Sequence, residues 1–151
     1  MSEAISEFCQ EEHNNKIEQV EAELLNFPQV DCPVTNHFAP DVYAREIFMP
    51  AGSIVIGHKH KTEHFNIVLS GSANVMCDDK IEYIEAPSIF VSKPGVRKVL
   101  YILEDMRWVT IHPTKETDMD KLEEICIEKS DSWKEFHITQ EEMNKLREDV
   151  K

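Results

Sequence analysis

The chain has 151 residues, of which 41% are hydrophobic and 30% charged, which is typical of a globular protein with a core of its own. Its net charge is −13, divided as −7 over residues 1–40, −1 over 41–113 and −5 over 114–151. This balance argues against nucleic-acid binding and against an anionic membrane surface, because both need clustered Lys and Arg. No apolar run approaches the ~20 residues that span a bilayer, and the acidic start lacks a secretory signal, so we expect a cytoplasmic protein.

The first 40 residues are predicted to form a helix followed by a loop. Apolar residues recur at helical spacing through residues 11–27, at Ile17, Val20, Leu24 and Phe27. This spacing predicts one helical face that packs against the rest of the protein.

The central part of the chain has the pattern of an all-β segment. All four glycines and five of the seven prolines lie between residues 40 and 113. Short runs rich in Val, Ile, Phe and Tyr separate these turn-forming residues, and such runs suit β-strands. The predicted strands are 43–49, 53–60, 64–71, 73–77, 80–85, 88–92, 97–103 and 107–113. Strands and turns at this spacing predict a barrel or a sandwich.

Helical spacing returns after the predicted strands. Residues 117–129 place apolar side chains on one helical face, at Met119, Leu122, Ile125 and Cys126. Thr139 and Glu142 form a capping-box pattern, which predicts a helix that begins at residue 139. We therefore predict a single domain over residues 1–151, with a β-barrel over 41–113 and helices over 114–151.

Three histidines fall within seven residues of the segment 52–66. His58 and His60 are two residues apart, so in a strand they share one face with apolar neighbours, and that face should point inward. A turn at residues 61–62 and antiparallel pairing would bring His64 across from the other two. Three converging imidazoles suit a divalent transition metal such as Zn, Fe, Ni, Cu or Mn. The alternative is that these are surface or core histidines without a metal, as isolated histidines usually are.

The same segment resembles the first motif of the cupin superfamily, in which Gly is followed after five residues by His-x-His, then by Glu, and then by Gly. Gly52, His58 and His60 match this order. His64 stands where the family has Glu, and Gly71 closes the motif. Since these positions ligate a metal in the family, the resemblance implies that His58, His60 and His64 bind one divalent transition metal, either Fe, Zn, Mn or Ni.

The remaining site candidates are weaker. Glu63 is the only carboxylate near the histidines, but it falls one residue early and so faces the opposite side of the strand. In the second cupin motif Gly95 matches, Pro94 is shifted by one position, and Lys98 stands where the family has its ligand histidine. Lys98 is therefore a weak catalytic candidate, as a base or as a group that orients an anionic ligand, with an exposed strand lysine as the simpler interpretation. His112, at the turn that follows residues 107–111, is a weak candidate for a fourth metal ligand or an acid–base group, with a structural histidine as the simpler interpretation.

The resemblance covers roughly residues 43–112 and implies a single, jelly-roll-like cupin β-barrel, here with flanking helices. It implies a metal-dependent enzyme that acts on a small molecule, and it leaves dioxygenase, isomerase and lyase chemistry open. Tyr43, Arg45 and Asn66 are possible pocket residues. The alternative function is a non-catalytic cupin, similar to small cupins on phage genomes, which binds a ligand or protein and holds a structural metal. Cupins commonly pair through barrel edges, so the resemblance also implies a homodimer.

Overall fold

The strand-forming runs assemble into an antiparallel seven-stranded sheet, with helices before and after it. In the computed structural model, which describes residues 3–77 and 80–149, the helices are Glu3–Leu24 (α1), Met119–Cys126 (α2) and Asp131–Asp149 (α3). The strands are Val34–Ala39 (β1), Val42–Met49 (β2), Ile54–Ile56 (β3), Lys59–His60 (β4), His64–Cys77 (β5), Lys80–Glu85 (β6), Ser88–Ser92 (β7), Val99–Pro113 (β8) and Ile127–Glu128 (β9). The predicted fold class, mainly β with helical flanks, is confirmed.

Two long strands, β5 and β8, form the centre of the sheet. They pair with each other along most of their length. β5 also pairs with β7 through its first half and with β6 through its second half. β8 pairs with β3 near its start and with β2 towards its end. The sheet therefore branches into two halves, and both contribute to one core that contains Met49, Val68, Ala73, Val75, Leu100, Ile102, Met106 and Trp108.

Gly71 lies where β5 passes closest to β8. Its φ of 85° is in the left-handed region, which glycine adopts without strain. A Cβ at this position would clash with the backbone of Asp105 and Met106 on β8. The register between β5 and β8 shifts on both sides of Gly71, so the two strands bend here without ending. For this reason β5 and β8 are continuous, where the sequence predicted two shorter strands for each.

The histidine segment differs from the prediction in its pairing. The predicted strand 53–60 is interrupted at residues 57–58 and forms the short strands β3 and β4. Among the described strands β3 pairs with β8 and β4 pairs with β9, so neither pairs with β5. The expected ladder that would place His64 directly across from His58 and His60 is therefore wrong, because the backbone of β4 is paired elsewhere.

Helix α1 packs against the barrel through a narrow stripe. His13, Ile17 and Glu21, spaced four residues apart, are its most buried side chains in the described range. The Asn14 side-chain amide donates to the carbonyl of Gly95 at 2.8 Å, which ties the helix to the loop before β8. The predicted apolar face is only partly correct, because Val20 remains 42% exposed.

The helix and strand limits predicted for the ends of the chain are also corrected. Thr139 lies inside α3, where its hydroxyl donates to the carbonyl of Glu135 at 3.0 Å, so the helix begins eight residues earlier than the capping-box pattern indicated. Strand β1 was not predicted, because it is exposed along its length and lacks apolar alternation. None of the helices in residues 3–77 and 80–149 combines the length and apolar character needed to span a bilayer.

Candidate metal centre

Polar side chains from three strands share the interior of the sheet. His64 and Asn66 on β5 are two residues apart and therefore lie on one face, and both are buried. His64 pairs in register with Ser92 on β7. Asn66 pairs in register with Thr110 on β8, and His112 follows Thr110 on the same face. The strand alternation thus collects these groups on the inner face.

Three histidines form a stacked cluster, which we call the His cluster: His60, His64 and His112. The ring centroids of His60 and His64 are 4.1 Å apart, those of His64 and His112 are 4.9 Å apart, and those of His60 and His112 are 5.8 Å apart. The three residues come from β4, β5 and β8, so only the tertiary structure brings them together. His112, a weak candidate from the sequence, is a full member of the cluster.

The imidazoles of the His cluster are held in the neutral form. Burial, together with the neighbouring His64 and His112, lowers the pKa of His60 to about 3. Burial also lowers the pKa of His112 to about 4 and lowers the pKa of His64. Neutral imidazole is the form that binds a metal, so at neutral pH the cluster needs no deprotonation to act as a ligand set.

Several ring nitrogens of the cluster are free to accept a ligand. The Nδ1 atom of His64 lies 3.0 Å from the carbonyl oxygen of Thr62, which can only accept, so Nδ1 carries the proton and Nε2 keeps its lone pair. The Nδ1 atoms of His60 and His112 are buried and have no hydrogen-bond partner in the described part of the chain. Buried nitrogen atoms without partners are costly, and a bound metal ion would satisfy them.

The other two predicted ligands lie outside the cluster. The ring of His58 packs edge-on against Trp133 of α3, with centroids 4.9 Å apart. Burial, with a smaller contribution from Arg97, lowers the pKa of His58 to about 4, and its buried Nδ1 has no partner among the described residues. Glu63 is exposed in the turn before β5. The structure therefore brings two of the three main ligand candidates, His60 and His64, together with His112.

Lys98 points into the barrel and ends a chain of hydrogen bonds beside the His cluster. The Trp108 indole donates to the Asn66 side-chain oxygen at 3.0 Å, and the Asn66 amide donates to the Ser92 hydroxyl at 2.8 Å. The Lys98 ammonium also donates to the Ser92 hydroxyl and lies 5.0 Å from the centre of the Phe90 ring. Burial lowers the pKa of Lys98. The simpler interpretation, an exposed strand lysine, is therefore wrong.

Tyr43 supports the outer side of the cluster. Its ring stacks on His112 with centroids 6.0 Å apart, and its hydroxyl donates to the side-chain oxygen of Asn36 at 2.5 Å. Burial raises the pKa of the Tyr43 phenol. Arg45 is half-buried and pairs in register with Thr110 on the same inner face. Tyr43 thus positions a cluster histidine.

The arrangement as it stands still requires movement before it could hold a metal. Across residues 3–77 and 80–149, no group of three or more His, Cys, Asp or Glu side chains has its ligand atoms arranged around one ion. The stacked rings present their faces to one another, so their nitrogens would have to turn towards a common point. The donor set itself fits a divalent transition metal, because it offers neutral imidazoles with unpaired nitrogens.

A second concave region lies away from the cluster. It is a cleft of about 360 Å³ between α1 and the segments around β4 and β9, and its lining includes Glu18, Lys59, Arg97, Glu128 and Lys129. Its charges are of both signs. Lys59 contacts Glu128 at 3.8 Å within the cleft, whereas Arg97 and Lys129 pair with Glu21 and Glu123, which do not line it. Its lining also includes Asn14, whose buried side-chain oxygen has no hydrogen-bond partner among the described residues.

Comparison with known proteins gives structural neighbours only. No protein-family model matches the chain, and no curated protein matches it. The structure is similar to an RmlC-like cupin family protein with a double-stranded β-helix fold from Methanocaldococcus jannaschii, at 13% identity, covering 59% of this chain and 87% of that chain, with a TM-score of 0.48. It is also similar to a cupin superfamily protein from Desulfitobacterium hafniense DCB-2, at 12% identity, covering 62% of this chain and 86% of that chain, with a TM-score of 0.48.

A further similar structure is KdgF from Halomonas sp., at 14% identity, covering 63% of this chain and 90% of that chain, with a TM-score of 0.47. These structural neighbours include cupin and RmlC-like proteins, the family that the histidine motif resembles. At such identities the likeness concerns the fold. The chemistry of the site has to be argued from the residues of this chain.

Sequence reasoning did not identify two residues of the interior. Ser92 closes the hydrogen-bond chain between Asn66 and Lys98, and Thr110 lies 3.2 Å from the Nε2 atom of His112. Both are small hydroxyl residues inside strands, and nothing in their local sequence separates them from ordinary strand residues. Because alternate residues of a strand face the same side, Thr110 shares a face with His112, and this alternation could have identified it. Ser92 could have been found only from its pairing with His64.

Proposed function

We propose that this protein binds one divalent transition metal, Fe, Zn, Mn or Ni, through His60, His64 and His112. The observation that carries the proposal is the stacking of three neutral imidazoles, buried at His64 and His112 and half-buried at His60, with unpaired ring nitrogens on His60 and His112. Histidine nitrogen is a preferred ligand for all four metals. His58, which the cupin resemblance implies as a ligand, is the competing third member, and it would have to turn away from Trp133.

We further propose that the metal serves an enzyme that acts on a small molecule. Three protein ligands leave coordination positions for water or substrate, and the metal would supply Lewis-acid or oxygen chemistry there. Lys98 supports this proposal because it places a polar group beside the His cluster, where it lowers the pKa of His60 and His64. Oxidation, isomerisation and elimination all remain compatible with this set of residues.

A second candidate function is a non-catalytic cupin whose metal is structural and whose role is to bind a ligand or a protein. The burial of the His cluster favours it, because His64 and His112 are only 5% and 3% exposed. A metal closed off by protein ligands stabilises a fold without doing chemistry. A metal with an exchangeable water ligand would exclude this candidate.

The acidic composition and the resemblance to cupins support two further parts of the proposal. We place the protein in the cytoplasm, where its cysteines would stay reduced. We also propose that it forms a homodimer. The large apolar side chains exposed on the sheet, among them Phe65, Ile89 and Val91, would be covered in such a dimer.

The test is the metal content of purified, untagged protein, measured by elemental mass spectrometry. We expect about one metal ion per chain in the wild type and in His37→Ala, a matched control whose histidine is 55% exposed. We expect loss of the metal in His60→Ala/His64→Ala, which removes two ligands common to both candidate sets. Absence of metal from the wild type, even after incubation with each of the four ions, would contradict the proposal.

A further inference from the structure

Hydrogen bonds link Trp108, Asn66, Ser92 and Lys98 inside the barrel. The chemistry of these side chains determines which atom donates and which accepts in each bond. The Trp108 indole nitrogen can only donate, so the Asn66 atom that it contacts at 3.0 Å is the carbonyl oxygen. The Asn66 amide nitrogen must then face Ser92, to which it donates at 2.8 Å. Lys98 can also only donate, and it donates to the same hydroxyl. The Ser92 oxygen therefore accepts twice.

A hydroxyl that accepts two hydrogen bonds still has its own proton to give. Among the described contacts this Ser92 proton meets no acceptor, and neither do the remaining N–H groups of Lys98. The described ion pairs include no carboxylate in direct contact with Lys98, although Cys77 and Glu82 act on its charge from further away, in the direction that raises its pKa. Ser92 is 8% exposed and Asn66 2% exposed, so water has little access to these two members of the hydrogen-bond chain. In the described part of the chain this interior thus holds a surplus of donors and one ammonium group that no carboxylate contacts directly.

We propose that Lys98 and Ser92 form a binding subsite for the carboxylate group of a small organic acid. Such a ligand only accepts hydrogen bonds, and its two oxygens can accept from the Ser92 hydroxyl and from the remaining N–H groups of Lys98. Its single negative charge balances the single ammonium in a site walled by the rings of Phe90 and Trp108, which lie 5.0 and 5.9 Å from the Lys98 nitrogen. A dianionic phosphate would leave an unbalanced charge in the same place.

The subsite adjoins the His cluster. Ser92 pairs in register with His64, and Asn66 follows His64 on the same face at a spacing of about 7 Å along the strand. A small acid held by Lys98 would therefore reach the cluster with its other end. This inference rests on the proposed function only in making that acid the substrate, because carboxylate binding itself needs no metal.

The experiment uses metal-free protein and acetate, with the tryptophan indole N–H resonances as the readout. The chain has two tryptophans, and Trp133→Phe assigns the Trp108 signal. We expect acetate, at constant ionic strength, to shift that signal to saturation in the wild type. Acetamide, which has the same shape without the charge, should not. The shift should also saturate in Lys93→Met, a control at an exposed lysine of the same loop.

In Lys98→Met we expect apparent acetate affinity to fall by about tenfold or more, because a charge-assisted hydrogen bond is lost. Ser92→Ala should weaken acetate binding as well, which keeps the test valid if one variant folds poorly. The inference is overturned if the wild type shows no saturable shift, if Lys98→Met binds acetate as well as the wild type, or if inorganic phosphate binds more tightly than acetate. Metal content is measured separately, on the protein as purified and before the metal is removed. Acetate binding by a protein that carries no metal as purified, and takes up none of the four ions, would support the subsite while removing the proposed function.

Discussion

The molecule buries two groups of polar side chains, and they differ in whether their hydrogen-bonding capacity is used. Between α1 and the barrel, the Arg97 guanidinium meets the Glu21 carboxylate at 2.6 Å and also donates to the carbonyl of Gly57 at 2.9 Å. The hydroxyl of Ser130 donates to the other oxygen of Glu21. In the His cluster, by contrast, His60 and His112 keep unpaired nitrogens.

This difference separates a structural contact from a candidate site better than burial does. The side chains of Arg97 and Glu21 are 5% and 6% exposed, and His112 is 3% exposed, so all three are equally removed from water. A buried polar group that has its partners inside the chain holds elements together. A buried polar group without a partner raises the question of what binds it. The predictions below test that distinction.

The largest change in stability is expected at the ion pair of Arg97 and Glu21, whose buried side chains have their hydrogen-bond partners inside the protein. Arg97→Leu should lower the free energy of unfolding by about 3–5 kcal/mol, because it leaves the Glu21 carboxylate buried without a partner. The measurement is urea unfolding at pH 7. The double variant Glu21→Leu/Arg97→Leu should recover part of the loss, since neither charge then remains buried.

The surface offers a matched control for this prediction. Arg107 contacts Glu46 at the same 2.6 Å, but its side chain is 51% exposed. We expect Arg107→Leu to change the free energy of unfolding by less than about 1 kcal/mol, because solvent screens the pair. Equal losses in Arg97→Leu and Arg107→Leu would show that the ion pair at α1 is not a buried structural contact.

Metal binding at the His cluster should raise the free energy of unfolding. At a free Zn²⁺ concentration about a hundredfold above its dissociation constant, the wild type should gain about 2.7 kcal/mol in unfolding free energy. His112→Ala should lose this gain, whereas His58→Ala should keep it, because only His112 stacks in the cluster. Urea titrations with and without zinc measure both. The reverse result would make His58 the ligand that the cupin resemblance implies.

Lowering the pH should weaken the metal-free fold. Burial lowers the pKa of His58 and His112 to about 4 and that of His60 to about 3, against an ordinary value of 6.5. Between pH 7 and 6 the unfolded chain takes up protons that the folded chain does not, so stability falls as pH falls. We expect a loss of about 2 kcal/mol over this unit.

The variant His60→Asn/His112→Asn separates these imidazoles from other titrating groups. It should show about half of the wild-type change in unfolding free energy between pH 7 and 6, because two of the four imidazoles whose pKa burial lowers (His58, His60, His64 and His112) are gone. Unfolding midpoints that are equal at both pH values in the wild type would contradict the burial of neutral imidazoles.

The smallest effect is expected at Lys98. Lys98→Met should change the free energy of unfolding by less than about 1 kcal/mol, and in the stabilising direction, since an apolar chain of similar length replaces a buried cation without a carboxylate partner. Thermal unfolding of metal-free protein measures it. A large loss of stability would show that Lys98, like Arg97, has a structural role in the fold.

The sequence predicted the strands of this protein more reliably than their pairing. Val, Ile, Phe and Tyr between turn residues marked β2, β6 and β7 to within one residue. Their spacing could not show that Gly71 keeps β5 continuous, because that depends on how close β8 passes. Strand β1 has no apolar alternation, since it is exposed along its length, and so it carried no signal.

For the candidate site, the spacing of residues along the sequence could identify only histidines that lie close together in it, namely His58, His60 and His64. His60 and His64 meet because they flank one turn, and this much is a local property of the sequence. Whether His58 or His112 completes the group depends on which way the chain turns at residues 57–58 and on the pairing of β5 with β8, which are tertiary contacts. The directed chain that ends at Lys98 likewise joins residues up to 42 positions apart, and only the folded barrel brings their donors and acceptors within hydrogen-bonding distance.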